Sequence, residues 1–190
     1  MPAVPLYEHS RPYQQIPFQF SVHVQETPGA TASHKAFLGD PSGDPREAFL
    51  QQLLEATNGT GTVLVYNQAF ECTRLRELKE QFPVYADSID ALTERIVDLM
   101  VPFQQKWYYH PQMNGSYSIK FVLPAMVPEL GYDSLAIGDG GTAMAAFESL
   151  LHLENPAGKV KIRQALLEYC ALDTMAMVKI VEKLMQLVTA

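Results

Sequence analysis

The sequence of 190 residues has only two cysteines and no apolar run long enough to cross a bilayer. Cys72 and Cys170 lie far apart and show neither metal-ligand nor redox spacing. The first residues, Met1-Pro-Ala-Val-Pro5, lack the basic start and the apolar segment of a signal peptide. We therefore expect a cytoplasmic protein with no membrane partner.

Basic residues are outnumbered, because the chain has 14 Lys and Arg against 21 Asp and Glu, for a formal net charge of -7. This balance argues against broad, non-specific attraction to nucleic acid, since affinity for phosphate backbones comes largely from clustered Lys and Arg. A nucleic-acid enzyme stays compatible with it, because metal ions at an acidic site offset local charge. The small basic clusters within 74–79 and 159–163 are typical of solvated helix faces.

Several familiar catalytic motifs are absent as well. The sequence has no Gly-rich phosphate loop ending in Lys, no Gly-x-Ser-x-Gly elbow and no His-Glu-x-x-His zinc pair. The Gly-rich segment 138–142 resembles a phosphate cradle only superficially, and we interpret it as a turn with Thr142 as the cap of the next helix. The five histidines show no ligand spacing, which favours surface or packing roles.

The sequence does contain a succession of periodic segments. Alternating apolar and polar residues over 18–25, a turn near Gly29 and a shorter segment at 34–38 predict a hairpin. An apolar run predicts a buried strand over 62–66. Helices are predicted over 45–57, with Asp44 as its cap, and over 67–82, 88–100, 118–126, 142–153 and 159–188. This order predicts a single α/β domain over residues 1–190, with helices covering a small sheet.

Two of the predicted helices carry one carboxylate inside an apolar stripe. In the last helix Asp173 stands where a leucine would be expected, in the series Ile162, Leu166, Tyr169, Asp173, Met177, Ile180, Leu184 and Leu187. Glu71 heads the stripe Glu71, Leu75, Leu78 and Phe82. A desolvated carboxylate is costly unless a cation, a donor or a metal pairs with it. For either acid alone, a helix cap at Glu71 or a buried hydrogen bond at Asp173 is the simpler interpretation.

Two neighbours suggest that the acids act together. Asn67 lies one turn before Glu71 at the end of the buried strand, where a polar side chain can reach a ligand across the sheet's carboxyl edge. Tyr169 lies one turn before Asp173 on the same helix face. Magnesium and manganese take oxygen ligands, and carboxylates from two helices can hold them. We therefore expect Glu71 and Asp173 to face one cleft, lined by Asn67 and Tyr169.

The segments around these four residues resemble motifs of a known enzyme superfamily. Asn67-Gln-Ala-Phe-Glu71 and Tyr169-Cys-Ala-Leu-Asp173 resemble the second and third motifs of the DEDD superfamily of 3′–5′ exonucleases, in the subgroup with a tyrosine in its third motif. Segments 11–21, 65–71 and 115–120 look like an uncharacterised bacterial domain family of that superfamily, often found C-terminal to a RecB-like nuclease region. The resemblance covers nearly the whole chain and implies a ribonuclease H-like mixed sheet covered by helices.

The same resemblance implies metal-dependent hydrolysis of nucleic-acid phosphodiesters, with Mg or Mn as cofactor and DNA or RNA, unresolved, as partner. It also implies a RecB-like nuclease region in the full-length protein. Asp173 would be a metal ligand, Glu71 would contact metal directly or through water, Tyr169 would orient the attacking water and Asn67 would touch the substrate or a metal-bound water. Glu71 replaces the more usual Asp of the second motif.

The superfamily's first motif, Asp-x-Glu on the first strand, should stand immediately before the segment that begins with Met1, and it is not in this chain. We therefore expect either a piece of a longer protein or a non-catalytic derivative. Asp98 follows Ile96-Val97 near the place where related enzymes have another acid. Helical spacing instead groups Asp98 with exposed Asp90 and Glu94, which favours a surface role.

Three interpretations compete. The first is a 3′–5′ exonuclease domain without its first strand, which would bind Mg or Mn weakly and degrade nucleic acid slowly or not at all, because two acids offer too few ligands for two ions. The second is a catalytically silent nuclease-like module that binds nucleic acid or a partner protein. The third is a structural domain whose inward acids are merely hydrogen-bonded.

The missing strand has a structural consequence. In ribonuclease H-like sheets the first strand lies between the inner hairpin strand and the strand that ends the first crossover, here 18–25 and 62–66. Without it, these strands would face a gap with unpaired backbone groups. We expect the lead-in 1–13, rearranged pairing or a second molecule to fill the gap, with self-association as the expected outcome.

Overall fold

The structure is a computed structural model that describes residues 5–189. Its strands are β1 (Gln19–Val24), β2 (Ser33–Leu38), β3 (Val63–Val65) and β4 (Ile96–Asp98). Its α-helices are α1 (Arg46–Ala56), α2 (Gln68–Gln81), α3 (Ala86–Thr93), α4 (Val101–Gln104), α5 (Ile119–Met126), α6 (Gly140–Ser149) and α7 (Pro156–Thr189). Short 3-10 turns cover Pro83–Tyr85 and Pro111–Met113. The mixed α/β class predicted from the sequence is confirmed.

The predicted hairpin is present. β1 and β2 pair antiparallel from Gln19 opposite Leu38 to Val24 opposite Ser33. Because side chains alternate across a strand, Phe20 and Val22 enter one apolar cluster with α1, while the residues between them lie on the other face, toward α7. The hairpin is thus held between helices.

The predicted helix over 88–100 is wrong in its second half. Helix α3 ends at Thr93, and the following residues form β4, which pairs parallel with β3. Ile96 is buried in the same apolar cluster as Val63. The β-branched residues Ile96 and Val97 gain a ladder of backbone hydrogen bonds by pairing with β3. This gain outweighs the helical spacing of the apolar residues in the segment.

The four described strands form two two-stranded sheets rather than one. In the hairpin, the Phe18 carbonyl accepts from the Gly39 N–H at 2.8 Å. Since bonded pairs alternate in an antiparallel ladder, the backbone groups of Gln19, Ser21 and His23 point to the other edge of β1. Within the described residues, that edge carries no partner strand.

Strand β3 also has an unpaired edge. The Val63 N–H donates to the Arg95 carbonyl at 2.9 Å, and the Val65 carbonyl accepts from the Leu99 N–H at 2.9 Å. Leu64 between them therefore turns its backbone groups away from β4. The two sheets do not pair with each other, and residues 5–13 contain turns but no strand. The first part of the predicted filler, residues 1–4, lies outside the described residues.

The other predicted helices agree with α1, α2, α5, α6 and α7 within a few residues, whereas no helix was predicted where α4 lies. Two predicted caps are wrong. The N-cap of α1 is Pro45, and the carboxylate of Asp44 accepts instead from the Arg46 N–H at 3.0 Å. Thr142 does not cap α6. Asp139 is the N-cap, and its side chain accepts a hydrogen bond from the Thr142 N–H at 2.8 Å, so that the helix begins at Gly140. An aspartate before two glycines supplies the acceptor that the free N–H groups of the first turn need.

Helix α7 joins the parts of the fold. It spans 34 residues and packs against β1, β2, α5 and α6. Leu166, Ala176 and Ile180 on its inner side have no exposed surface. The predicted apolar stripe is therefore the buried face over most of its length, although Leu187 at the end is exposed. Among residues 5–189, no helix combines the length and the apolarity that spanning a bilayer requires.

Candidate acidic site

Helix α2 starts directly after β3, and Asn67 makes the turn between them. Asn67 adopts a left-handed backbone conformation, φ 81°, which asparagine tolerates better than most residues. Its side chain accepts a hydrogen bond from the Phe70 N–H at 3.4 Å and so caps the helix. The side chain predicted to touch a ligand is therefore engaged with its own helix, one turn before Glu71.

Asp98 is placed differently from its predicted exposed helical position. It ends β4, and its carboxylate accepts three backbone hydrogen bonds, from Asn67 at 3.1 Å, Gln68 at 2.9 Å and Met100 at 2.9 Å. The negative charge lies at the N-terminus of α2, where a helix dipole favours it. Asp98 fixes the turn that presents Glu71, and its lone pairs are largely occupied by that role.

Asp173 lies on the inner side of α7, beside two phenols. The Tyr132 hydroxyl donates to Asp173 Oδ1 at 2.7 Å, and the Tyr169 side chain also lowers the pKa of Asp173. The rings of these tyrosines lie 6.3 Å apart, tilted by 54°. Burial raises the pKa of Asp173, although both phenols and the charge of Lys120 oppose that rise.

Glu71 is the more perturbed acid. Burial raises its pKa to about 7, Arg74 opposes this rise, and the negative charge of Asp173 adds to it. Arg74 donates instead to Glu77 at 3.1 Å and to Gln15, and its guanidinium lies 5.4 Å from the centre of the Phe70 ring. Glu71 is thus a half-buried carboxylate beside a cation that is bound elsewhere.

The structure brings the two acids into one electrostatic environment. Besides the effect of Asp173 on Glu71, both charges contribute, after burial, to raising the pKa of the Cys170 thiol to about 12. The charge of Glu71 therefore acts on the stretch of α7 that carries Cys170 and Asp173. Asn67 is turned to the start of α2.

The arrangement suits a hard cation only in part. Carboxylate oxygens are the ligands that Mg²⁺ and Mn²⁺ prefer, and a cation would relieve the repulsion between Glu71 and Asp173. Within residues 5–189, however, no group of three or more His, Cys, Asp or Glu side chains is placed to hold a metal ion. In the described part of the chain, no third ligating side chain joins the two acids.

Tyr132 is the functional candidate that the sequence did not reveal. It lies in the turn-rich segment between α5 and α6, where Leu135 N–H bonds back to the Tyr132 carbonyl at 3.0 Å. No periodic pattern surrounds it, and its partner Asp173 is far away in the chain. Nothing in the local sequence distinguishes this loop tyrosine. It becomes a candidate only because the structure shows its hydroxyl donating to the Asp173 carboxylate.

Comparison with known proteins gives a family and no function. The family model described as "Domain of unknown function (DUF2779)" matches residues 1–118. The matched part includes Asn67, Glu71 and Asp98, while Tyr169 and Asp173 lie beyond it. No curated protein and no solved structure matches the chain.

Proposed function

We propose that this chain, which belongs to the DUF2779 family, is a 3′–5′ exonuclease-type domain of the DEDD superfamily with an incomplete site for Mg or Mn. The observation that carries the proposal is the pair of half-buried acids. Glu71 on α2 and Asp173 on α7 each have a raised pKa, and the charge of one contributes to the shift of the other. Such pairs cost stability, and they cluster at sites that bind cations or move protons.

The local setting of each acid supports the proposal. Glu71 follows a strand and a capped turn, and Asp173 follows Tyr169 by one helical turn, in the order of the superfamily's second and third motifs. When bound, a metal ion would stabilise the charge of a phosphodiester undergoing hydrolysis. Glu71 and Asp173 would hold it. Tyr169 would orient the attacking water, and Asn67 would lie near the substrate.

The arrangement of strands supports a ribonuclease H-like fold that lacks its first strand. Side chains of β1 and β3 pack in one apolar cluster, and β4 pairs parallel with β3. A strand between β1 and β3 would join the two pairs into one mixed sheet of five. In the superfamily that strand carries Asp-x-Glu, and it would supply the acids that the present pair lacks.

A silent nuclease-like module that binds nucleic acid or a partner protein is the alternative. It is favoured by the lack of a group of three metal-ligating side chains in the described part of the chain. In that case Glu71 and Asp173 would be former metal ligands. Protonation would neutralise Glu71, and the Tyr132 hydroxyl would satisfy Asp173 in place of a metal. A RecB-like nuclease region in the full-length protein and a cytoplasmic location remain part of both proposals.

A nuclease assay distinguishes these proposals. Single-stranded DNA and RNA labelled at the 5′ end would be incubated with the chain and Mn²⁺, beside Asp173→Asn and the matched control Asp133→Asn, an exposed acid next to Tyr132. We expect slow 3′–5′ shortening at most, absent in Asp173→Asn and retained in the control. Binding without shortening would favour the silent module. Fast degradation that survives Asp173→Asn would show that the site is misplaced.

A further inference from the structure

A second polar cluster lies on the face of the hairpin that is turned toward α7. Four side chains form one line of contacts: His34 Nε2 to Ser21 Oγ at 2.8 Å, Ser21 Oγ to Thr174 Oγ1 at 2.7 Å, and Thr174 Oγ1 to His23 Nδ1 at 2.8 Å. Ser21 is buried. The line begins on β2, crosses β1, reaches α7 and returns to β1.

The two imidazole rings at its ends stack on each other. Their centres lie 4.4 Å apart and their planes differ by 19°. A metal ion lies close to the plane of each imidazole that binds it, and two nearly parallel, stacked planes do not meet at one ion. Shared metal binding by His23 and His34 is therefore excluded by the geometry, and proton binding is what the pair can do.

Counting hydrogens shows how the line responds to protons. Three contacts need three hydrogens, and the two hydroxyls supply one each, so one ring nitrogen at an end must donate and the other must accept. A proton on His34 Nε2 satisfies this count when Ser21 donates to Thr174 and Thr174 donates to His23. A second proton, on His23 Nδ1, reverses the last contact.

Thr174 then has to turn its hydrogen to a carbonyl of its own helix. The Ala171 and Cys170 carbonyls lie 3.3 and 3.4 Å from Thr174 Oγ1, which is longer than the contact that is lost. That proton makes the His23 ring positive, and a further proton on His34, whose Nε2–H form is neutral, places two positive rings against each other. Burial and the charge of His34 already lower the pKa of His23, in that order of importance.

The other charged groups near this line are engaged. Asp173, next to Thr174 on α7, accepts from Tyr132 and faces the acidic site. Two turns further along α7, Glu182 accepts from Lys179 at 2.8 Å and from Gln25 of the hairpin's end at 3.1 Å. The face of β1 and β2 around the two rings presents Gln19, Ser21, Ala36 and Leu38, which carry no charge.

We propose that the His34–Ser21–Thr174–His23 line is an acid-released clamp between the hairpin and α7. With His23 neutral, the line ties both strands to the helix. When His23 and His34 are both protonated, the Thr174 contact reverses, the rings repel each other and the hairpin loosens from α7. Because Thr174 follows Asp173, the clamp couples acidity to the helix that carries the acidic site, whatever that site does.

The test combines ring titration with hydrogen exchange. In the wild-type chain, NMR signals of the His23 ring should report proton binding below the usual histidine range. His34→Asn should strengthen proton binding at His23 at least threefold, whereas His152→Asn, outside the line, should leave it unchanged. After correction for the intrinsic rates, protection of β1 amides from exchange should fall at least tenfold between pH 7.5 and 5.

Thr174→Val removes the hydrogen bonds of α7 to Ser21 and His23 of β1 and should abolish most of this pH dependence. An unchanged His23 titration in His34→Asn, or equal protection of wild-type β1 at both pH values, would overturn the clamp. The wild-type exchange measurement decides the question even when a variant does not fold.

Discussion

Glu71 and Asp173 lie on different helices and far apart in the chain, yet the negative charge of Asp173 helps to raise the pKa of Glu71. Burial raises the pKa of both acids, and Arg74, the cation that opposes this rise at Glu71, hydrogen-bonds Glu77 and Gln15. This cost is the physical reason for assigning the pair a function.

Glu71→Gln should stabilise the protein at high pH. The pKa of Glu71 rises from 4.5 to about 7 on folding, so the folded state binds its proton more tightly than the unfolded chain. The free energy of unfolding therefore falls as pH rises through that window, by about 3 kcal/mol at most. Urea unfolding should show Glu71→Gln more stable than wild type by about 1–3 kcal/mol at pH 8 and nearly equal at pH 4.

The matched control for this measurement is Glu77→Gln, on the same helix. Glu77 accepts from Arg74 in a half-buried ion pair, so its replacement should lower stability slightly and without that pH trend. A Glu71→Gln variant that is less stable than wild type at pH 8 would contradict a costly, unpaired carboxylate.

Tyr132→Phe tests whether the loop tyrosine positions Asp173. The variant keeps the ring and loses the hydroxyl that donates to Asp173 Oδ1. Hydrogen bonds to a ligating carboxylate fix its orientation, and their loss typically weakens metal binding about tenfold or more. Mn²⁺ titrations should show this loss in Tyr132→Phe. Tyr66→Phe, whose hydroxyl donates to the Tyr117 carbonyl, should bind as wild type does. Equal affinities in both variants would leave Tyr132 without a positioning role.

Unpaired strand edges predict self-association. The backbone N–H and C=O groups of Leu64 in β3 point away from β4. Those of Gln19, Ser21 and His23 in β1 point away from β2. Sedimentation at several concentrations should show reversible association, because open edges recruit further strands. Leu64→Pro removes an N–H on the open edge and keeps the pairing to β4, so it should weaken association. A wild-type protein that stays strictly monomeric at all concentrations would refute this prediction.

The periodicity of apolar residues predicted most of the helices and strands, because a helix or strand that is buried on one face repeats apolar residues at a regular spacing. The alternation through Phe20 and Val22 gave β1, and the stripe through Leu166 and Ile180 gave α7. The sequence does not predict β4, because Ile96 and Leu99 continue the helical spacing of Ile89 and Leu92, and only the open edge of β3 decides between the two structures.

The candidate site was predictable in its helical members and not in its loop. Glu71 and Asp173 interrupt apolar stripes, which is a local signal. Tyr132 gives none, because its role depends on a contact between distant segments. Asp98 was assigned to the surface because a helix was predicted there, and its three backbone hydrogen bonds follow from the strand that replaces that helix.

Binding of Mn²⁺ to the chain tests the central claim most directly. Titration calorimetry should detect weak binding, with a Kd on the order of 10⁻⁴ to 10⁻³ M. Affinity should rise from pH 6 to pH 8, because Glu71 must lose its proton before it can hold a cation. Binding should disappear in both Glu71→Gln and Asp173→Asn and persist in Asp133→Asn. A wild-type chain that binds no Mn²⁺ at pH 8, or acid variants that bind it as well as wild type, would contradict the assignment of this pair as a metal site.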